Sequence, residues 1–155
     1  MRKVETRQKV TAFILRSTPA GSRQILLHAF ATAPELPLRL PGGGVDPGET
    51  PLQALWRDLA EETGLTTLRL ERRLGVQAYY KPFIGAHVAR HDFLLWAAEG
   101  TLDTWEHSVT GAGADAGDRF RLLWRDPGSL HGIDDEHRPF IIPAYVPELF
   151  ATAAG

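Results

Sequence analysis

The chain has 155 residues, 43% of them hydrophobic and 23% charged, with a formal net charge of −2 and no cysteine. That length and composition predict one globular domain, residues 1–155, with a full core, and the missing cysteines exclude disulfides, thiolate metal sites and cysteine nucleophiles. There is no long basic run, which argues against a nucleic acid polymer as partner, and no apolar stretch of the roughly 20 residues a membrane span needs.

In chain order, Val10–Arg16 (VTAFILR) and Gln24–Phe30 (QILLHAF) are apolar runs rich in strand formers. The turn-prone Pro19–Ser22 lies between them, so the three segments predict a hairpin. Ala33–Pro41 carries three prolines and is expected to be extended or looped. A glycine-rich loop, Pro41–Gly48, follows.

Thr50 then opens the clearest helix signal. Thr50 is a good N-cap, Pro51 suits the first helical position and Gln53 completes a capping box. Leu52, Leu55, Trp56 and Leu59 are spaced as one buried face, and Gly64 is a natural stop. Further on, Thr67–Tyr80 is expected to hold one or two strands, and His91–Ala98 and Phe120–Arg125 one each. Glu99–Arg119 reads as a long loop and Asp134–Ala154 as a proline-interrupted helix. Trp56, Trp96 and Trp124 sit in apolar runs and are expected in the core. This order predicts an α/β fold, a mixed β-sheet with helices packed on it.

The chemistry concentrates on the polar side of the Thr50 helix. At 100° per residue, Arg57, Asp58, Glu61 and Glu62 fall away from Leu52, Leu55 and Leu59. Three carboxylates therefore share a narrow surface with one cation, and Glu49 stands just upstream. Clustered hard oxygens are what Mg²⁺ or Mn²⁺ requires, and a glycine loop beside them offers amides to an anion. By itself such a face is more often an ordinary solvated one.

The spacing decides between these readings. Gly43, five residues, Glu49, seven residues, then Arg57–Asp58–Leu59–Ala60–Glu61–Glu62–Thr63–Gly64–Leu65 resembles the Nudix box. One specified position differs, Asp58 standing where the family usually has Glu. A chance match of this kind is on the order of one in a million.

The resemblance implies a Nudix-type α/β/α sandwich and a magnesium-dependent hydrolase of phosphoanhydride bonds, with Mn²⁺ as a possible substitute. It implies that Glu61 and Glu62 bind metal, that Asp58 is a further ligand or the general base, and that Arg57 orients a glutamate, with Glu49 as its partner. Gly43 and Gly44 are expected beside the substrate. Many members place another acidic residue on a later loop, for which Asp115 is the favoured candidate among Asp103, Glu106, Asp115 and Asp118. His107 is a candidate phosphate contact. Tyr79, Tyr80 and Phe83 are candidate aromatics near the substrate, with Tyr80 favoured.

The expected substrate is a nucleotide, first a (deoxy)nucleoside triphosphate, with dinucleoside polyphosphates, ADP-ribose and other nucleotide sugars as alternatives. A non-catalytic nucleotide-binding module of the same fold is the competing class, although it would be expected to lose box carboxylates that are present here. A structural Ca²⁺ site lacks the alternating Asp/Asn spacing of a calcium loop. The absence of an apolar signal core and of disulfides points to the cytoplasm. Both a monomer and a homodimer are compatible with the sequence.

Overall fold

The computed structural model describes residues 5–111 and 116–152. Seven strands form one mixed sheet: β1 (Thr6–Ser17), β2 (Arg23–Phe30), β3 (Gly42–Gly44), β4 (Arg69–Lys81), β5 (Ala86–Trp96), β6 (Thr104–Ser108) and β7 (Arg119–Arg125). The lateral order is β4-β5-β1-β2-β7-β6, with the short β3 paired to β1. Among the described strands β1 and β5 run parallel and the other pairs are antiparallel.

The expected hairpin is β1–β2, but its ladder is short. Leu15 to Ser17 pair with Ile25 to Arg23, whereas Lys9 to Thr11 pair with Gly44 to Gly42. The glycine segment thus enters the sheet where β1 and β2 diverge, bringing the glycine loop beside the middle of β1.

Alternation along β1 supplies two apolar layers. Val10, Ala12 and Ile14 pack with Ala54, Leu55 and Leu59 of the helix α1 (Pro51–Thr63). Phe13 and Leu15 face the opposite side and pack with Leu130, Ile133, Ile141, Val146 and Leu149 of the C-terminal segment. The sheet is therefore covered on both faces, in the layered α/β arrangement that the sequence resemblance implies.

Helix α1 begins and ends as its sequence predicts. The Thr50 side chain accepts from Gln53 N, Gln53 Oε1 accepts from Thr50 N, and Gly64 takes a left-handed φ of 71°. Its buried face is rotated from the expected one. Leu52 and Trp56 are 39% and 40% exposed, while Asp58 and Glu62 are 5% and 6% exposed. The helix is thus seated with part of its carboxylate flank against β3, and Trp56 is not a core residue.

Two further expectations are corrected. The stretch Glu99–Arg119 is not all loop, because Thr104–Ser108 pairs with β7 as the edge strand β6. The tail is not a long helix: it holds a 3₁₀ turn at Arg138–Phe140 and a four-residue helix α2 (Pro147–Phe150). Pro139, Pro143 and Pro147 each remove a backbone donor, so only single turns survive between them.

Candidate active site

Beside α1 and β3 lies a cleft of about 420 Å³. One end is lined by Gly42, Gly43, Gly44, Arg57, Asp58, Glu61 and Glu62, the other by Lys9, Arg39, Tyr79, Arg90, Glu136 and His137.

At the acidic end Arg57 is the organising cation. Its Nε and Nη2 donate to Glu49 Oε2 and Oε1 at 2.8 and 2.7 Å, a bidentate pair. Its Nη1 reaches Asp58 Oδ1 at 2.9 Å and Glu61 Oε2 at 3.4 Å, and its Nη2 donates to the Gly44 carbonyl at 3.0 Å. Glu49 also accepts from Asp46 N. The paired hydrogen bonds from Arg57 hold the Glu49 carboxyl down at about 2. The expected Arg57–Glu49 pairing is therefore present, and it fixes the loop between β3 and α1 to the helix.

The three helical carboxylates are not equivalent. Glu62 Oε2 accepts from the Gly42 amide at 3.1 Å, tying the helix to β3. Glu61 stands beside Gly111, where a Cβ would collide with its carboxylate. Asp58 lies against Gly43 so closely that a Cβ there would stand 2.8 Å from its carboxyl carbon. Burial pushes the Asp58 carboxyl up to about 7; the Arg57 charge pulls it back, and Glu61 and Glu49 reinforce the rise. Among the described residues its buried Oδ2 has no hydrogen-bond partner.

Among the described residues, no group of three or more histidine and acidic side chains is already arranged around a metal position. The oxygens are held instead by Arg57 and by the Gly42 amide. The unused oxygen of Asp58, beside two glutamates on one flank, is nonetheless the chemistry of a hard divalent cation. Asp115 lies outside the described residues.

The other expected substrate contacts fare differently. Gly43 and Gly44 line the cleft. Tyr80 does not: it is 54% exposed and stacks edge-on against His87. Its neighbour Tyr79 lines the cleft and donates to Glu136 Oε2 at 3.3 Å. Successive strand residues face opposite sides, so the choice between them is one of strand parity. Phe83 is 93% exposed. His107 packs its ring on Gly64, where a Cβ would stand 2.8 Å from Nδ1, and is not among the lining residues. It belongs instead to a brace on the end of α1. Trp105 Nε1 donates to the Thr63 carbonyl at 3.0 Å, and Thr110 N donates to the Glu61 carbonyl at 3.2 Å. These bonds satisfy carbonyls the helix end leaves open.

The basic end was not visible in the sequence. Lys81 Nζ stands 2.7 Å from Glu136 Oε1 and Arg39 Nη2 stands 4.0 Å from Oε2. Arg90 is buried, pairs through Nε and Nη2 with the buried Asp92 at 2.8 and 3.1 Å, and donates to the Glu136 carbonyl at 2.7 Å. Tyr145 Oη donates to Asp92 at 2.6 Å. His28 also lines the cleft, buried against Phe120, its Nδ1 without a partner among the described residues; burial and the charge of Arg39 push its imidazole down to about 4.

A family model for the NUDIX domain matches residues 6–142. The chain is 49% identical over 43 residues to an RNA pyrophosphohydrolase of Francisella tularensis subsp. mediasiatica (strain FSC147), and the match spans 28% of each protein. Among solved structures, a MutT NUDIX hydrolase from Burkholderia pseudomallei is similar with a TM-score of 0.59 and 26% identity, over 88% of this chain and 96% of that one. A C. elegans Ap4A hydrolase in a binary complex shares the fold, with a TM-score of 0.58 and 20% identity over 79% and 82% of the two chains. No helix among the described residues is long and apolar enough to cross a membrane. With a family match over most of its length and the complete carboxylate helix in place beside its glycine strand, the chain belongs to the NUDIX domain family.

Proposed function

We propose that this protein is a Nudix hydrolase that cleaves a phosphoanhydride bond in a nucleoside-diphosphate-containing substrate, using Mg²⁺ or Mn²⁺ held by Glu61, Glu62 and Asp58. The observation that carries this reading is the buried, unpartnered Oδ2 of Asp58 beside Gly43, on the same helix flank as Glu61 and Glu62 at the wall of a cleft. A bound divalent cation supplies positive charge against the phosphate chain and a more acidic water. The protein's own residues do the rest. Arg57 positions Glu49, Asp58 and Glu61 through its fan of hydrogen bonds. The Gly42 amide orients Glu62. Asp58, packed against Gly43, presents its free oxygen on the same flank, as a further ligand or as the general base.

The favoured substrate is a (deoxy)nucleoside triphosphate. A second reading, a substrate with a longer or doubly ended phosphate chain, is favoured by Lys9 and Arg39 at the far end of the cleft and Lys81 behind Glu136. The relatives named for RNA pyrophosphohydrolase and Ap4A hydrolase activity fit that reading. A substrate panel with Mg²⁺ tests both: nucleoside triphosphates, dinucleoside polyphosphates, 5′-triphosphorylated RNA and nucleotide sugars, followed by release of phosphate and pyrophosphate. Turnover of one class that disappears in Glu62→Gln supports the proposal. Ligand binding without turnover of any class would instead establish a non-catalytic binding module.

A further inference from the structure

The basic end of the cleft holds an unusual arrangement. Two cations, Arg39 and Lys81, face the carboxylate of Glu136, and a third, Lys9, lines the cleft beside them. Lys81 makes the close pair at 2.7 Å, Arg39 stands at 4.0 Å, and Lys9 lies near enough to both that burial and their charges lower its own proton affinity. Tyr79 adds an O–H donor at 3.3 Å. Lys9, Arg39, Tyr79 and Glu136 all line the same cleft as the helical carboxylates. One carboxylate cannot neutralise three cations, so this end keeps a surplus of positive charge and a donor aimed at an oxyanion. These are the requirements of a phosphate site.

The geometry points to Glu136 as an internal stand-in for the substrate's outer phosphate, which occupies the Lys9–Arg39–Lys81–Tyr79 site until a phosphate chain displaces its side chain. This inference rests on the reading that a phosphate chain enters the cleft. The displacement requires no opening of the C-terminal segment. The Glu136 amide is held by Asp134 Oδ1 at 2.8 Å and its carbonyl by Arg90 Nη1 at 2.7 Å. The adjoining His137 is fixed by the Leu40 amide on its Nδ1 at 2.9 Å. With the backbone pinned at these points, the carboxylate leaves by a change of side-chain rotamer. Glu136 thereby sets a threshold: a ligand gains the site only if it carries more negative charge there than one carboxylate. Substrates ending in a charged phosphate are admitted in preference to those ending in a neutral sugar.

The test uses inorganic tripolyphosphate as probe, with titration calorimetry of the full-length protein in chelator, so that no metal-dependent contact contributes. Glu136→Gln removes the competing charge and should bind the probe about fivefold more tightly than the wild type. Lys9→Gln and Arg39→Gln should each weaken binding by about the same factor, which reads the site even if Glu136→Gln is poorly folded by thermal melt. An unchanged or weaker affinity in a folded Glu136→Gln variant would overturn the inference, as would unchanged affinity in both cation variants. A change confined to uncharged nucleosides would also overturn it, because Glu136 would then be reading a base. Since binding is measured without metal, absence of turnover with every nucleotide would undo the proposed hydrolase while leaving this result readable.

Discussion

The two ends of the cleft are built in opposite ways. The acidic end comes from one continuous segment, Gly42 to Glu62, in which a strand, a loop and a helix are joined by Arg57. The basic end draws Lys9 from β1, Arg39 from an extended connection, Tyr79 and Lys81 from β4, Arg90 from β5, and Glu136 from the C-terminal segment. The acidic end lies mainly along the flank of one helix, whereas the basic end is anchored by a buried ion pair between strand residues. Substitutions should therefore separate: at the acidic end they should change turnover more than stability, and at the basic end's anchor they should change stability first.

The largest expected effect is at the acidic end. Glu62→Gln keeps the side chain's size and can still accept from Gly42 N, yet removes a charge from the flank proposed to hold metal. Metal-dependent turnover should fall by about 10²–10⁴-fold while the melting temperature stays within a few degrees. A variant that loses both equally would erase the distinction between the ends.

Next comes the anchor of the basic end. Asp92→Ala leaves Arg90 buried without its carboxylate and Tyr145 Oη without its acceptor. Loss of one partner of a buried pair costs about 3 kcal/mol, or a fall in melting temperature of about 6–12 °C. Chemical denaturation of the variant checks this directly, and a cost under 1 kcal/mol would show that the pair is not an anchor.

The acid limb of stability comes third. Burial and Arg39 hold His28 at about 4, against an ordinary value of 6.5. The unfolded chain therefore takes up this proton first as pH falls, so the His28 contribution is full above pH 6.5 and is lost on the way down to pH 4. The shift corresponds to a contribution on the order of 3 kcal/mol. Urea unfolding of wild type and His28→Gln at pH 7 and pH 4.5 should show a shallower loss in the variant; parallel losses would contradict this assignment. The smallest effect is expected on the exposed flank of α1. Trp56→Gln removes a side chain that is 40% exposed and should change stability by about 1 kcal/mol or less.

Much of the acidic end was legible because its interactions are local. Thr50, Pro51, Gln53 and Gly64 set the bounds of α1 by backbone chemistry that does not depend on the rest of the fold. The Arg57–Glu49 pair spans only eight residues and one turn of chain. The seating of α1 was less legible, since a carboxylate flank gains burial only through β3, whose glycines leave room for Asp58. The strand β6 escaped notice because an edge strand with polar residues carries little apolar signal. Tyr79 and Tyr80 are indistinguishable until the β4–β5 register fixes which one faces the cleft.

By itself, the sequence determined the family, the mixed α/β architecture, the limits of the carboxylate helix and the three carboxylates on it. All of these depend on neighbours in the chain, or on a spacing that few sequences match. The tertiary structure alone decided which side of α1 is buried, which tyrosine lines the cleft, and that Lys9, Arg39 and Lys81 converge on Glu136. Those features require residues as far apart as Lys9 and Glu136 to be brought together by sheet order. Sheet order depends on the packing of both faces at once, not on any local pattern.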